Sequence, residues 1–541
     1  MSPKEKFEDE DEEGFIEYKQ RVSPTTRIRF ENLTTQLKFR LDEGNGECLY
    51  QLGVADNGEW IGLGDQELEQ SIQSLKEIAN EIGAEAIPIR KAAVEEKWVA
   101  EIFVRRKPFE GFPLEICVCV VGNVDAGKSS LLGSLITGEK DNGFGYTREF
   151  VFRHPHEVVS GRTSSVSSKV LGFKTDGTIV NYSGPGLPRP KEEEIIRNSS
   201  KLVRFIDLAG HEKYLRTTIY GLLGTEPDYV ALIIDANRGI QRMTREHLGL
   251  VFVLKLPIFV VLNKVDLAPA HILKDTLNEL KKLLKGPALS LIPKTVQDKD
   301  DITVLGPRLS HGRIVPIFLV STVTGENLDL LRSFLNLLPP RRSFTSYWPT
   351  LGSDLKSAPF LLFVEEWFVL TGVGPVAVGT VQSGTIHEGD YAYLGPDASG
   401  VYLRSRVKSI QSRRISVASA SVGQYISLAL GFAKRPRQFS KGMVITTFDA
   451  PRAIHSFEAE IVILHHPTTI RTGYSAMIHA KTIRSQAKIR HILDGPSPLR
   501  TGDKARVEFE FLYSPQFLIT GMQFIFREGR TKGLGVVRSV S

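Results

Sequence analysis

Residues Gly122-Asn123-Val124-Asp125-Ala126-Gly127-Lys128-Ser129 have the spacing G-x-x-x-x-G-K-S. Glycines at those two positions let backbone N–H groups turn inward around phosphate oxygens, and a helix starting beside them adds the positive end of its dipole. The expected phosphate-binding set is Asn123, Val124, Asp125, Ala126, Gly127, Lys128, Ser129 and Ser130. Lys128 would reach the β and γ phosphates and stabilise charge on a transferring phosphoryl group, and the Ser129 hydroxyl would ligate Mg2+. The flanks suit that chemistry: Ile116–Val121 is a continuous apolar, β-rich run, and Ser130–Leu135 is helix-like.

A second group of residues selects the base. Asn263-Lys264-Val265-Asp266 follows the apolar run Ile258–Leu262, at the carboxyl edge of a sheet where such folds bind ligands. The Asp266 carboxylate can accept from guanine N1–H and the 2-amino group. Adenine offers neither donor and would leave that charge unpaired, so GTP is expected rather than ATP. Lys264 can lay its stem against the base. Ser321-Thr322-Val323 follows another apolar run, and a backbone N–H there could face guanine O6.

A third group would sense the γ-phosphate. In Asp207-Leu208-Ala209-Gly210-His211, Asp207 would hold Mg2+ through water, the Gly210 N–H would touch the γ-phosphate, and His211 would lie near an attacking water. In Gly161-Arg162-Thr163-Ser164-Ser165 one hydroxyl would ligate Mg2+. Thr163 is the first choice, with Ser164 and Ser165 as rivals. The reaction implied is hydrolysis of GTP to GDP and phosphate.

These loops need a sheet to hold them. Apolar strands are expected at Leu202–Ile206, Tyr229–Ile234, Ile258–Leu262 and Ile314–Val320, with helices at Thr244–Leu254, Ala270–Leu284 and Asn327–Leu338. Alternating strand and helix implies βαβ units and a parallel sheet. After Pro339-Pro340-Arg341-Arg342, short β-branched and aromatic runs separated by Gly, Pro and Asp turns read as β-barrels. Before the apolar run, Asp65–Ile82 has helical periodicity, whereas Leu37, Phe39 and Leu41 alternate as in a strand. The expected fold is an α/β P-loop GTPase domain (113–340) followed by β-barrels at 345–452 and 453–541. A small α+β domain (25–110) and an acidic, disordered tail (1–24) precede it.

The chain has 541 residues with 41% hydrophobic and 24% charged residues, which excludes a wholly disordered or coiled-coil protein. Three cysteines exclude a disulfide scaffold. Cys117 and Cys119 share one face of a buried strand and are expected in its core. No run is apolar and long enough for a membrane span, and neither a secretory signal nor a CaaX or Met-Gly lipidation motif is present. A cytoplasmic monomer without a membrane partner is expected. The net +6 is unevenly spread. Residues 1–13 hold two Lys against seven acids, and residues 341–541 hold 25 Lys+Arg against 14 Asp+Glu. The basic clusters Arg404/Arg406/Lys408, Arg413/Arg414, Lys434/Arg435/Arg437 and Lys481/Arg484/Lys488/Arg490 together favour a phosphate backbone as partner.

In this order, the motifs resemble the translational GTPases of the elongation factor Tu and elongation factor 1A superfamily. Gly122-Asn123-Val124-Asp125 resembles that superfamily's G-H-V-D, Asp207…Gly210-His211 its D-x-x-G-H, and Thr371–Val381 with Gly384 its second-domain glycine pattern. More finely, Asp141-Asn142-Gly143-Phe144-Gly145, Phe152-Arg153-His154, Gly161–Val166 and Phe205–Tyr214 look like the GTP-binding protein 1 and 2 subfamily. The resemblance implies that His211 orients water on the ribosome and that Asp125 helps place a monovalent cation or the catalytic machinery. It implies aminoacyl-tRNA and the ribosome as partners, with the RNA-decay machinery as another. Ala126, Ala209 and the stretch Lys174–Ser200 depart from the elongation-factor pattern, which points to a specialised reaction. A GTP-gated adaptor that recruits RNA-decay factors, with hydrolysis only as a timer, is the alternative.

Overall fold

The computed structural model describes residues 14–108, 113–152, 157, 167–183, 188–210, 215–225, 227–286, 289–341, 358–412, 415–432, 439, 442–529 and 531–540. They fall into two compact units. The first holds the described residues up to Gly210 together with Pro227–Arg341; the second holds the helix Leu215–Gly224 and everything from Ala358 onward.

The first unit is built on a seven-stranded sheet. Its order is Ile292–Thr295, Ile314–Val320, Ile258–Asn263, Tyr229–Asp235, Leu114–Gly122, Lys201–Asp207 and Ser167–Phe173. Strands such as Tyr229–Asp235 and Lys201–Asp207 are buried along their whole length, as continuous apolar runs covered on both faces should be. Helices Lys128–Thr137, Arg242–Val253, Ala270–Lys285 and Leu328–Leu337 alternate with them. Phe334 packs with Phe259 and Phe318 at centroid distances of 5.2 and 4.9 Å. The sheet is not wholly parallel: Ser167–Phe173 runs antiparallel to Lys201–Asp207. Antiparallel pairing needs no crossover, so the strand lies outside the βαβ rhythm.

Residues 14–108 form a four-stranded sheet, in the order Ile16–Lys19, Glu47–Leu52, Lys97–Arg106, Ala84–Val94, with helices Arg27–Glu43 and Asp65–Glu81. The strand expected at Leu37–Leu41 is instead part of the first helix. Leu37 and Leu41 are buried four residues apart while Phe39 is 48% exposed, so the helical spacing carries the burial and the period of two is incidental. Period two does divide the sheet's own residues. Cys48, Tyr50 and Leu52 with Ile102 and Val104 pack under the helices, whereas Leu49 and Phe103 join the core of the nucleotide-binding sheet.

That second face also carries buried charge. Glu47 accepts from Arg105 at 2.7 Å and from Lys201 at 2.8 Å. Arg105 also donates to Asn336 O and Oδ1, both at 2.9 Å, and Lys201 to Asn336 O at 2.9 Å and Leu338 O at 2.5 Å. One carboxylate faces two cations, and backbone carbonyls satisfy the remaining donors, as buried charge requires. Burial pushes the Lys201 ammonium down to about 8. The small sheet and the large one therefore share a hydrophobic core and a buried ion cluster.

In the second unit, strands Leu361–Phe363, Val444–Thr446, Tyr391–Gly395, Leu403–Ser412, Tyr425–Phe432 and Gly374–Ser383 close on one another, with Glu366–Leu370 added outside. A second closed barrel holds Ser456–His465, Lys504–Phe511, Ile483–Asp494, Ser475–Ala480, Gln523–Glu528 and Thr531–Val540. Alternate residues fill each barrel, such as Phe457, Ala459, Ile461 and Ile463 on the first strand of the latter. Among the described residues no helix is long and apolar enough to cross a membrane.

Candidate nucleotide-binding site

The strand register brings the motifs together. Val120 lies opposite Asp207, Gly122 opposite Ile233, Asp235 opposite Asn263, and Asn263 opposite Val320. All five strands are parallel, so the loops that follow them line one carboxyl edge.

The phosphate-binding loop is glycine-dependent at identifiable atoms. Gly127 has φ 84°, and a Cβ there would sit 2.3 Å from the Asn263 amide nitrogen. The helix Lys128–Thr137 starts on the next residue. Asp125, at φ 62°, also takes the left-handed conformation, and its exposed carboxylate pairs with Arg238 at 3.4 Å. The Asn123 amide donates to Gln241. Lys128 is buried and donates to Asn123 O at 2.9 Å. Burial lowers its pKa, and the nearby Asp207 and Asp125 charges oppose that shift. Such an ammonium is already desolvated and aimed into the loop, as a phosphate would require.

Asp207 meets this loop from the adjacent strand. Ser129 Oγ donates to Asp207 Oδ2 at 2.6 Å, and both residues are buried. Two converging hard oxygens beside Lys128 suit Mg2+. Gly210 packs against the same place: a Cβ on it would lie 2.5 Å from Lys128 Nζ and 2.6 Å from Gly122 O. Thr163, Ser164, Ser165 and His211 lie outside the described residues.

At the base side, Asn263 donates to Ala126 O at 3.3 Å. The Lys264 ammonium is tied at 2.5 Å to Asp125 O and at 2.9 Å to Asp235 Oδ2. That leaves its stem across the loop and buckles the base-binding turn to the phosphate-binding one. Asp266 is exposed. Ser321 and Thr322 are buried, with Ser321 Oγ accepting from Thr324 N at 3.0 Å, while Val323 is 39% exposed.

Four residues here have no motif to announce them: Asp235, Arg238, Gln241 and His247. His247, on the helix Arg242–Val253, is fully buried, and neither ring nitrogen is hydrogen-bonded among the described residues. Burial, and then the Lys128 charge, push its pKa down to about 4. Asp235 was foreseeable as the polar end of an apolar strand. Nothing in the sequence marks the others.

A family model described as the elongation factor Tu GTP binding domain matches residues 115–340, and one described as the elongation factor Tu C-terminal domain matches residues 450–541. GTP-binding protein 1 of Xenopus laevis is 43% identical over 517 residues, which are 95% of this chain and 77% of that protein. GTP-binding protein 2 of Homo sapiens is 42% identical over 538 residues, 98% of this chain and 88% of that one. The chain belongs to the GTP-binding protein 1 and 2 family. This GTPase hydrolyses GTP to GDP and phosphate, and GTP or GDP with Mg2+ are its cofactors. Its fold is also that of the solved elongation factor SelB from Methanococcus maripaludis in complex with the GTP analogue GppNHp. The TM-score is 0.54 at 17% identity, with 80% of each chain covered.

Proposed function

We propose that the GTPase is a switch that engages aminoacyl-tRNA and the ribosome in specialised elongation, ribosome surveillance or mRNA turnover. The observation that carries this is the order of parts: a nucleotide-binding unit followed by two closed β-barrels, the last matching the elongation factor Tu C-terminal domain.

In this reading Lys128 and the backbone N–H groups of residues 123–129 hold the phosphates and take up charge from the transferring phosphoryl group. Ser129 and Asp207, with a hydroxyl of Thr163, Ser164 or Ser165, would hold Mg2+, which neutralises charge on the β and γ phosphates. Asp266 and the backbone of Ser321, Thr322 and Val323 read the guanine, while Asn263 and Lys264 fix the base-binding turn onto the phosphate-binding one. Asp125, tied to Arg238, helps place the catalytic machinery. His211 orients the attacking water once a partner contact positions it.

The segment from Asp207 to Gly210 supports a switch on the described atoms. Gly210 packs against Lys128, and in this reading its N–H would touch the γ-phosphate. Only a few residues later the chain continues as the helix Leu215–Gly224, which belongs to the second unit. Loss of the γ-phosphate would free that segment and carry the change along the chain toward the barrels.

The test is GTP turnover with and without ribosomes for the wild-type chain and His211→Ala. Ribosomes should accelerate wild-type turnover, and the variant should keep nucleotide binding yet lose the acceleration. Turnover raised only by an RNA-decay complex would instead favour a GTP-gated adaptor.

A further inference from the structure

Two segments with marked sequences meet beside the nucleotide site. Asp141-Asn142-Gly143-Phe144-Gly145 follows the helix Lys128–Thr137, and Ser321-Thr322-Val323 follows the strand Ile314–Val320. The loop that begins at Asp141 is held in one shape by its two leading side chains. Asn142 Oδ1 accepts from Phe144 N at 2.9 Å and from Tyr146 N at 3.2 Å. Asp141 takes the alternate donors: Oδ2 accepts from Gly145 N at 3.2 Å and Oδ1 from Thr147 N at 2.9 Å. The four successive N–H groups of residues 144–147 are thus satisfied by two side chains, as Asx turns do. Asp141 is buried, so its charge depends on those bonds.

The loop is fastened at both ends. Thr147 Oγ1 lies 2.9 Å from Ser130 O and 3.1 Å from Asp141 Oδ1. A Cβ on Gly133 would lie 1.9 Å from Thr147 O, so the loop seats on the helix Lys128–Thr137 where glycine leaves room. At its start the Asp141 N–H donates to Thr322 O at 2.9 Å. The stem of Lys140 crosses the same turn, its Cε 2.7 Å from where a Cβ on Gly325 would be. Asp141 therefore joins the helix of the phosphate-binding loop to the turn Ser321-Thr322-Val323.

The Thr322 carbonyl shares one peptide group with the Val323 N–H. In a planar trans peptide the two point in opposite directions, so a bond that fixes the carbonyl also aims the N–H away from Asp141. Accepting that bond polarises the peptide and strengthens its N–H as a donor. The turn's other donors are spent. Ser321 N donates to Glu326 O at 3.2 Å, Gly325 N to Ser321 O at 3.0 Å and Thr324 N to Ser321 Oγ at 3.0 Å. Among the described residues the N–H groups of Thr322 and Val323 have no acceptor, and only that of Val323 belongs to the pinned peptide.

We propose that Asp141 is a positioning residue for guanine recognition: it holds the Thr322 carbonyl so that the Val323 N–H points at guanine O6. The proposal rests on the reading that this turn faces the guanine. Adenine carries an amino group in place of O6 and would set donor against donor, so the pinned N–H adds to the discrimination made at Asp266. An unpinned peptide could turn its carbonyl toward that amino group and lose the discrimination.

The experiment measures, by calorimetry at fixed Mg2+, the affinity of the full chain for GTP and two relatives. Inosine triphosphate lacks the 2-amino group; 6-thioguanosine triphosphate carries sulfur, a weaker acceptor, in place of O6. Wild type should prefer GTP to both. In Asp141→Ala, GTP affinity should fall about 2- to 10-fold, the worth of one uncharged hydrogen bond. Affinity for the thio nucleotide should fall less, so the preference for GTP over it shrinks. The preference for GTP over inosine triphosphate, set at Asp266, should stay as in wild type. Asp141→Asn keeps the size of the side chain and one acceptor, and should show the same pattern at smaller amplitude even where the alanine variant fails to fold. A merely structural role would lower all three affinities together. Equal losses for the three nucleotides, or a wild-type preference for GTP over the thio nucleotide kept in the variants, would overturn the proposal and leave the reading of the turn intact. A wild type that binds GTP and the thio nucleotide equally would overturn the reading of the turn, and the proposal with it.

Discussion

At the residue scale, the charge of Asp266 should be the guanine determinant. In Asp266→Asn the two guanine donors face an amide that can satisfy only part of their need. GTP affinity should fall roughly 10- to 10²-fold, the cost of losing hydrogen bonds to a charged acceptor. Xanthosine triphosphate, whose C2 carbonyl accepts from that amide, should gain. Titration of fluorescent analogues checks both. His247 makes a second prediction. Its folded pKa, about 4, lies below the unfolded value near 6.5, so the folded state binds fewer protons in between. Stability from this group is present above pH 6.5 and lost as pH falls toward 4, up to about 3 kcal/mol. His247→Gln should flatten that part of the stability profile in urea titrations at stepped pH. Lys128, Ser129 and Asp207 were legible because a phosphate site fixes residue types at fixed spacing. His247 was not, because one buried histidine has no spacing to read.

Element scale brings in the close packing of Gly210 on the phosphate-binding loop. Gly210→Ala puts a methyl group 2.6 Å from Gly122 O, where a backbone atom rather than a flexible side chain must yield. Overpacking of 1–3 kcal/mol corresponds to roughly a 5- to 150-fold loss of GTP affinity, which calorimetry would read directly. GDP affinity, which needs no contact at Gly210, should change less. Most strands of the nucleotide-binding sheet were legible from their apolar runs, since a strand buried on both faces cannot conceal its composition. The helix Arg27–Glu43 was misread because Leu37, Phe39 and Leu41 satisfy two periods at once, and only burial decides between them. The strand Ser167–Phe173 was invisible for another reason: Ser167-Ser168-Lys169 breaks the apolar run at its start, and its antiparallel pairing lies outside the βαβ rhythm.

For the whole molecule, the buried cluster of Glu47, Arg105 and Lys201 makes the small N-terminal sheet part of the nucleotide-binding unit rather than an appendage. Glu47→Gln leaves two buried cations without their counter-charge, so the first unit should lose about 3–5 kcal/mol, read as a drop in its unfolding midpoint. Glu460→Gln, which breaks only an exposed pair with Arg538, should leave the midpoint where it was. This seam could not be read in the sequence, because a charged residue on a strand looks like a solvated one until its partners, from 58 to 154 positions away, are brought to it. The succession of α/β and all-β regions was readable, because change of period is a local property. In the proposed function, guanine nucleotide controls engagement of aminoacyl-tRNA. The most direct measurement is the affinity of the full chain for one tRNA, charged and uncharged, with a non-hydrolysable GTP analogue and with GDP. Tight binding is expected only for charged tRNA with the GTP analogue; equal affinity for charged and uncharged tRNA in both nucleotide states would contradict nucleotide control.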